Sequence, residues 1–195
     1  MVTMKLILSS NSPRRKELLA GLDIPFEVRV VKGIDESFPD DLPTDEIAEF
    51  VSKKKAAAYA VAEDEIVITA DTIVVLDGEV LGKPRDLDDA AAMLRRLSGR
   101  THRVITGVTL KNEVKQTSFS VVSEVTFKSL SDDEISYYVH RYQPLDKAGA
   151  YGIQEWIGYV GVTSLSGSYF NVVGFPVQRI YEVLRKEFGV KSPMG

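Results

Sequence analysis

The sequence predicts a mixed-sheet α/β fold, on three observations. Helical and strand-like segments interleave along the chain. The pair Asp77–Gly78 stands between two apolar runs, the signature of a tight β-hairpin. Residues 103–130 then read as two long strands with only a short polar turn near Lys111–Asn112. Strands joined by so little chain pair antiparallel, so a purely parallel sheet does not fit.

Each element has its own local cause. KLILS (residues 5–9) is a short continuous apolar run, a buried strand. It feeds a helix with Ser12 as N-cap, Pro13 at the first helical position and Gly21 at its end. IPFEVRVV (24–31) alternates as a second strand. GIDESFPDDLPTD (33–45) is a loop leading to Thr44 as the N-cap of a helix from Asp45 to about Ala62. On that helix Ile47, Phe50, Val51, Ala58, Val61 and Ala62 share one face. EIVITADTIVVL (65–76) and EVLG (79–82) form the hairpin, and DLDDAAAMLRRLSG (86–99) is a helix with acids first and bases last. Ser131 and Glu134 stand at capping-box spacing. PLDKAGAYGIQ (144–154) is a glycine-containing loop, WIGYVGVTSLSGS (156–168) reads as strands and turns, and a last helix runs from Pro176 to about Phe188, closed by Gly189. No linker, repeat or low-complexity segment divides the chain, so a single domain over residues 1–195 is expected.

Composition excludes several classes of function. The net charge of −4 argues against binding along a nucleic-acid backbone but leaves room for a small polyanion in a local basic pocket. The absence of cysteine excludes disulfides, thiolate catalysis and cysteine-based zinc sites, and two histidines make a histidine-rich metal centre unexpected. No stretch has the length of a signal-peptide core or of a bilayer span, so no membrane partner and a cytoplasmic location are expected.

The chemistry begins at LSSNSPRRK (8–16). A cap explains Ser12 and Pro13, but Arg14 and Arg15 beside the positive end of a helix are unfavourable unless an anion joins them. Asp71 lies inside an apolar strand, where its neighbours predict burial on both faces. Such a carboxylate needs a cation, a metal or several donors. Of the helix lysines Lys53 falls on the solvent face, whereas Lys54 lies near the apolar stripe and Lys55 at its edge. One of these two can snorkel outward or point inward at an anion, and periodicity does not choose. Lys83, after Gly82, and the lysine of DKAGAYGIQ suit close approach to a phosphate, but solvated lysines in turns have the same look. No GxxxxGK[ST] or GxGxxG element is present, and His102 reads as satisfying a turn or strand end. Together the basic groups, a helix N-terminus and Asp71 suit a nucleoside triphosphate with a divalent cation.

SNSPRR, GIDE, KKA, ADT, GKP, SGRTH, DKAGAYGIQ and GSYFNVVGFP, in this order, strongly resemble the Maf family of nucleotide pyrophosphatases, from about Lys5 to the last helix. The resemblance implies an inosine triphosphate pyrophosphatase-like fold with a cleft between two lobes, and hydrolysis of a nucleoside triphosphate to the monophosphate and pyrophosphate with Mg²⁺ or Mn²⁺. By matching position it implies Asp71 as catalytic acid and metal ligand, Glu36 as second metal carboxylate, and Lys55 as the helix lysine. It likewise implies phosphate handling by Lys83, Ser10, Arg14 and Arg15. SPRR, Thr72 after Asp71, and Gln154 resemble the branch selective for dTTP and UTP, Thr72 and Gln154 being substrate-binding positions there. No residue between Glu155 and Ser166 is carried over, because that region matches less well. A homodimer is expected through the resemblance alone. The family's association with arrest of cell division supplies the rival reading, a nucleotide-binding regulator without turnover.

Overall fold

A computed structural model describes residues 4–191. The elements follow as β1 (Lys5–Leu8), α1 (Pro13–Ala20), β2 (Phe26–Val28), α2 (Thr44–Ala57), β3 (Glu65–Leu76) and β4 (Glu79–Leu81). Then come α3 (Leu87–Leu97), β5 (Thr101–Lys111), β6 (Gln116–Phe127), α4 (Asp132–Tyr142) and a 3-10 turn (Ala148–Ala150). The chain ends in α5 (Trp156–Gly161), β7 (Val162–Ser166), α6 (Tyr169–Val173) and α7 (Val177–Phe188). The seven strands form one mixed sheet in the order β2-β1-β3-β5-β6-β7, with β4 paired to β3. β1 runs parallel to β2 and β3, whereas β4 is antiparallel to β3 and β7 to β6.

The chain gathers into two compact units. The first comprises the residues up to Asp71, Thr106–Val121 and those from Gly174 onward; the second comprises Thr72–Ile105 and Val122–Val173. In the first, Leu6 and Leu8 of β1 point to one face, where Leu19 of α1 and Ile180 and Leu184 of α7 bury them. Ile7, one residue out of phase, joins Val67 and Tyr59 on the other. α2 lies so close to β5 that a Cβ on Gly107 would stand 2.2 Å from the Ala48 carbonyl carbon, a separation only glycine permits. Buried hydroxyls complete that contact: Ser52 Oγ is 2.8 Å from Thr109 Oγ1, and Thr69 Oγ1 donates to the Ser52 carbonyl at 2.7 Å. In the second unit, Ala90, Leu94 and Leu97 of α3, Ile135 and Val139 of α4, and Val74, Val104 and Val125 from the strands share one core. His102 lies at the start of β5 but is fully enclosed, its ring 5.5 Å from Phe127 and its Nε2 2.5 Å from Tyr151 Oη.

Several sequence expectations need correction. IPFEVRVV yields only three paired residues, because β2 is the edge of the sheet and Val28, Val30 and Val31 stay exposed. Thr44 is the first helical residue, with Pro43 at the cap position and no side-chain cap bond. α2 ends at Ala57 rather than Ala62, and Ala58 and Ala62 are exposed. Tyr59 is the reason: its hydroxyl accepts from Ser9 Oγ (2.6 Å) and the Val31 amide (2.9 Å) and donates to the Arg29 carbonyl (2.9 Å). Three tertiary bonds there outweigh the helix propensity of the alanines that follow. WIGYVG is helical, not strand, and a side chain on Gly158 would collide with the Ile153 carbonyl. Tyr169–Val173 is a further helix, where the sequence pattern announces no element.

Candidate active site

The first unit assembles its site from four segments: the turn into α1, the loop that carries Glu36, α2 and β3. β1 ends at Leu8, and the next residues turn into α1. Ser12 Oγ accepts the Arg15 amide at 3.4 Å, and the buried Ser10 Oγ accepts the Ser12 amide at 3.1 Å. The two hydroxyls thus order the turn, and α1 brings Arg14 and Arg15 to its mouth. Arg15 is anchored by its planar fork: Nε donates to the Gly174 carbonyl at 2.9 Å and Nη1 to the Ala70 carbonyl at 3.0 Å. Burial holds its guanidinium below the ordinary value; the Asp71 carboxylate works against that, the Arg14 charge adds to it, and Glu36 opposes it.

Lys55 reaches the same place from α2. Its Nζ donates to Asp71 Oδ1 at 2.9 Å and to the Ala70 carbonyl at 3.3 Å, and lies 3.3 Å from Glu36 Oε1. Lys55 is 13% exposed and Asp71 18%, whereas Glu36 is 55% exposed on its loop. The partner that the lone strand carboxylate demanded is therefore a cation, and of the two candidate lysines Lys55 is the inward one. Asp71 is half-buried, not enclosed on both faces: β3 is covered at Ala70 and Ile73 and opens at Asp71 and Thr72. Lys54 turns to the surface loop instead, donating to Asp35 Oδ2 (2.8 Å) and the Ser37 carbonyl (2.7 Å). Asp35 also accepts from the Ser37 amide (2.9 Å) and hydroxyl (2.8 Å), so its carboxyl is held well below the usual range, by Lys54 first. Lys54 thereby clamps both neighbours of Glu36 to α2. The Ser37 amide bond to Asp35 Oδ1 makes an Asx turn, which aligns the loop for this clamp.

The second unit carries the remaining predicted residues. Thr72 is half-buried on β3 and Lys83 is exposed after β4. The Gly82 carbonyl accepts the Gly149 amide at 3.1 Å, which joins the Lys83 loop to the turn of DKAGAYGIQ. Gln154 is half-buried, and its Oε1 is buried with no hydrogen-bond partner among the described residues. The lysine of that motif, Lys147, is 3.1 Å from Glu155 Oε1. Glu155 and Tyr138, which bonds to it, were not singled out in the sequence; nothing local marks partners 17 residues apart.

A carboxylate, a second carboxylate and two fixed cations within one pocket of charge can bind and hydrolyse an anionic ester or anhydride. Among the described residues no group of three or more His, Asp or Glu side chains could hold a metal by itself.

The chain is similar to several known proteins. The family model for "Maf-like protein" matches residues 5–187. A Phocaeicola vulgatus protein named dTTP/UTP pyrophosphatase is 60% identical over 184 residues, covering 93% of this chain and 95% of its own length. Relatives of the same name from Bacteroides thetaiotaomicron and Porphyromonas gingivalis are 54% and 50% identical, covering 95% and 94% of their own lengths. A solved structure of the Staphylococcus aureus Ham1 protein aligns with a TM-score of 0.43 at 14% identity, covering 63% of this chain and 71% of that one. With the family model spanning nearly every described residue, the chain belongs to the family of Maf-like proteins.

Proposed function

We propose that this chain is a nucleoside triphosphate pyrophosphatase that hydrolyses dTTP and UTP to the monophosphate and pyrophosphate. The single observation that carries the reading is the Lys55 ammonium bridging Asp71 and Glu36. The names and full-length similarity of the relatives support the substrate class. Mg²⁺ or Mn²⁺ is included in the proposal. Magnesium is commonly held by one or two carboxylates together with substrate phosphates and water, and Asp71 with Glu36 fits that donor set. When bound there, the ion would neutralise phosphate charge.

In this mechanism a water oxygen forms a bond to the α-phosphorus while the bond to the bridging oxygen breaks, and pyrophosphate leaves with the electron pair. Asp71 accepts the proton that the water loses. Lys55 holds that carboxylate in position. Arg14 and Lys83 balance charge on the phosphates; Arg15, whose Nε and Nη1 are committed to carbonyls, adds its charge while bracing Ala70, the neighbour of Asp71. Ser10 shapes the turn in front of α1. Thr72 and Gln154 read the base. The buried Gln154 Oε1 lacks a donor, and N3–H of uracil or thymine is one. Cytosine presents an acceptor at N3 and would leave two acceptors facing each other. The homodimer that the resemblance implies and the cytoplasmic location that the sequence suggests belong to the same proposal; among the described residues no helix is long and apolar enough to cross a membrane.

The test is kcat/KM for UTP, dTTP, CTP and GTP with Mg²⁺, with pyrophosphate as the detected product. UTP and dTTP should lead, and Gln154→Glu, which removes the amide N–H that can donate to a base carbonyl and adds a negative charge, should depress both and narrow the gap to CTP. A preference for GTP, or ratios unmoved by the substitution, would defeat the pyrimidine assignment. No turnover on any nucleotide, with nucleotide still bound, would favour the regulator.

A further inference from the structure

Glu155 and Lys147 form an ion pair that the chemistry above does not use. Both are largely withdrawn from water, at 12% exposure for Lys147 and 17% for Glu155. A pair so placed is costly to break, because either partner alone is a charge without compensation. It also has a third member. Tyr138 Oη, buried on α4, accepts the Gly152 amide at 3.0 Å and donates to Glu155 Oε2 at 3.4 Å. Burial first, and the Glu155 charge in addition, push the Tyr138 phenol upward, so it remains a donor.

These bonds seize the chain on both sides of Gln154. Gly152 is tied to Tyr138, and Glu155 to Tyr138 and Lys147, while the Glu155 amide also donates to the Gly152 carbonyl at 3.0 Å. The side chains converge over Gly152 itself. A Cβ there would stand 2.6 Å from Glu155 Oε1, 3.1 Å from Lys147 Cε and 3.3 Å from Gln154 Oε1. The ion pair therefore packs against the same bare α-carbon as the unpartnered amide oxygen of Gln154.

We infer that Lys147 and Glu155, linked through Tyr138, are positioning residues that fix the Gln154 amide and so set base discrimination. The inference rests on the reading of Gln154 as the base-pairing residue. A side chain that must choose between a donor and an acceptor edge needs its amide held within a fraction of an ångström, which a free glutamine on a glycine loop does not achieve. Lys147 is a brace, not a phosphate ligand: its ammonium is occupied by Glu155 and by Asp146 Oδ1 at 2.9 Å.

The experiment measures kcat/KM for UTP and CTP, kcat for UTP and the melting temperature in wild type, Lys147→Met, Lys147→Arg, Glu155→Gln and Tyr138→Phe, with Gln154→Glu alongside. Lys147→Met and Glu155→Gln should lower the UTP/CTP ratio by about tenfold, with kcat for UTP within about threefold of wild type. Lys147→Arg, which keeps the ion pair, should restore most of the ratio. Tyr138→Phe removes one hydroxyl at constant shape and should move the ratio in the same direction, so the inference stays exposed if the charge variants fail to fold. Wild-type ratios in these variants while Gln154→Glu shifts the ratio would overturn the brace and leave the base reading intact. An unmoved ratio in Gln154→Glu would remove the base reading and this inference with it.

Discussion

Arg15 shows how much of the site depends on the shape of one side chain. Its fork bonds two backbone carbonyls on different segments, Gly174 and Ala70, and the second adjoins Asp71. Lysine would keep the charge but cannot bridge both carbonyls. Arg15→Lys should therefore lose stability by about 1–3 kcal/mol, the cost of a buried acceptor left without its donor. It should also lower kcat more than it raises KM, read from denaturant unfolding and steady-state rates. Arg14→Ala and Lys83→Ala should each lose about 2–4 kcal/mol of transition-state stabilisation, the range for one preorganised charge donor, whereas Lys53→Ala should matter little. Lys53 is exposed on α2 and pairs with Glu49.

His102 carries a second prediction at this scale. Burial pushes its imidazole down to about 4 from 6.5. The unfolded chain therefore takes up a proton between those values that the folded chain refuses. The stability His102 contributes is complete above pH 6.5 and is lost as pH falls toward 4. The loss amounts to about 3 kcal/mol at 1.36 kcal/mol per unit. Urea unfolding at pH 7 and at pH 4 should show it in wild type, and His102→Gln should flatten the difference whatever its own stability. An equal pH dependence in the two proteins would show that His102 is not the source.

At the scale of elements, Tyr59 decides where α2 ends and where the loop that carries Glu36 begins. Its hydroxyl holds Ser9, the Val31 amide and the Arg29 carbonyl together, and the Arg29 guanidinium closes the same corner on Glu65 at 2.9 and 2.6 Å. Tyr59→Phe should cost about 1–3 kcal/mol of stability, since partly buried polar groups lose their partner. Hydrogen exchange should speed up from residue 29 toward Glu36 rather than in α1. Unchanged exchange there would mean that the loop is held by the Lys54 clamp alone.

The elements that were legible are those whose ends are written locally. Ser12–Pro13 opens α1, Asp77–Gly78 turns the hairpin, Ser131 and Glu134 form the capping box of α4, and Gly189 takes the left-handed conformation after α7. The ends that were missed are set by distant partners. Tyr59 leaves the helix for the segment after β2, about thirty residues back along the chain. The site divides in the same way. Asp71 stood out because an apolar strand surrounds it, but its partner is sixteen residues away on a helix whose periodicity left two lysines open. The resemblance, not the spacing, chose Lys55.

At the scale of the molecule, the two compact units were invisible in the sequence for a structural reason. Each is discontinuous, and every division between them falls inside or beside a continuous element of structure: within β3 after Asp71, within β5 after Ile105, within β6 after Val121. A search for linkers by composition finds nothing at such places, because a strand that serves two units keeps the apolar pattern of any strand. The net charge of −4 also conceals the gathering of Arg14, Arg15 and Lys55 beside Asp71 and Glu36. That local excess of positive charge, set beside Asp71 and Glu36, is what the proposed chemistry requires.

Asp71→Asn tests the account most directly. The substitution keeps the volume and an oxygen that can accept from Lys55, so the fold should persist, while the charge that takes a proton or holds a cation is gone. The measurement is pyrophosphate release from UTP with Mg²⁺ by wild type and by Asp71→Asn of matched melting temperature. Wild type should release UMP and pyrophosphate in equal amounts, and kcat for the variant should be lower by at least about 10³, within the range for loss of a positioned general base. A folded Asp71→Asn protein with near-normal kcat would contradict it.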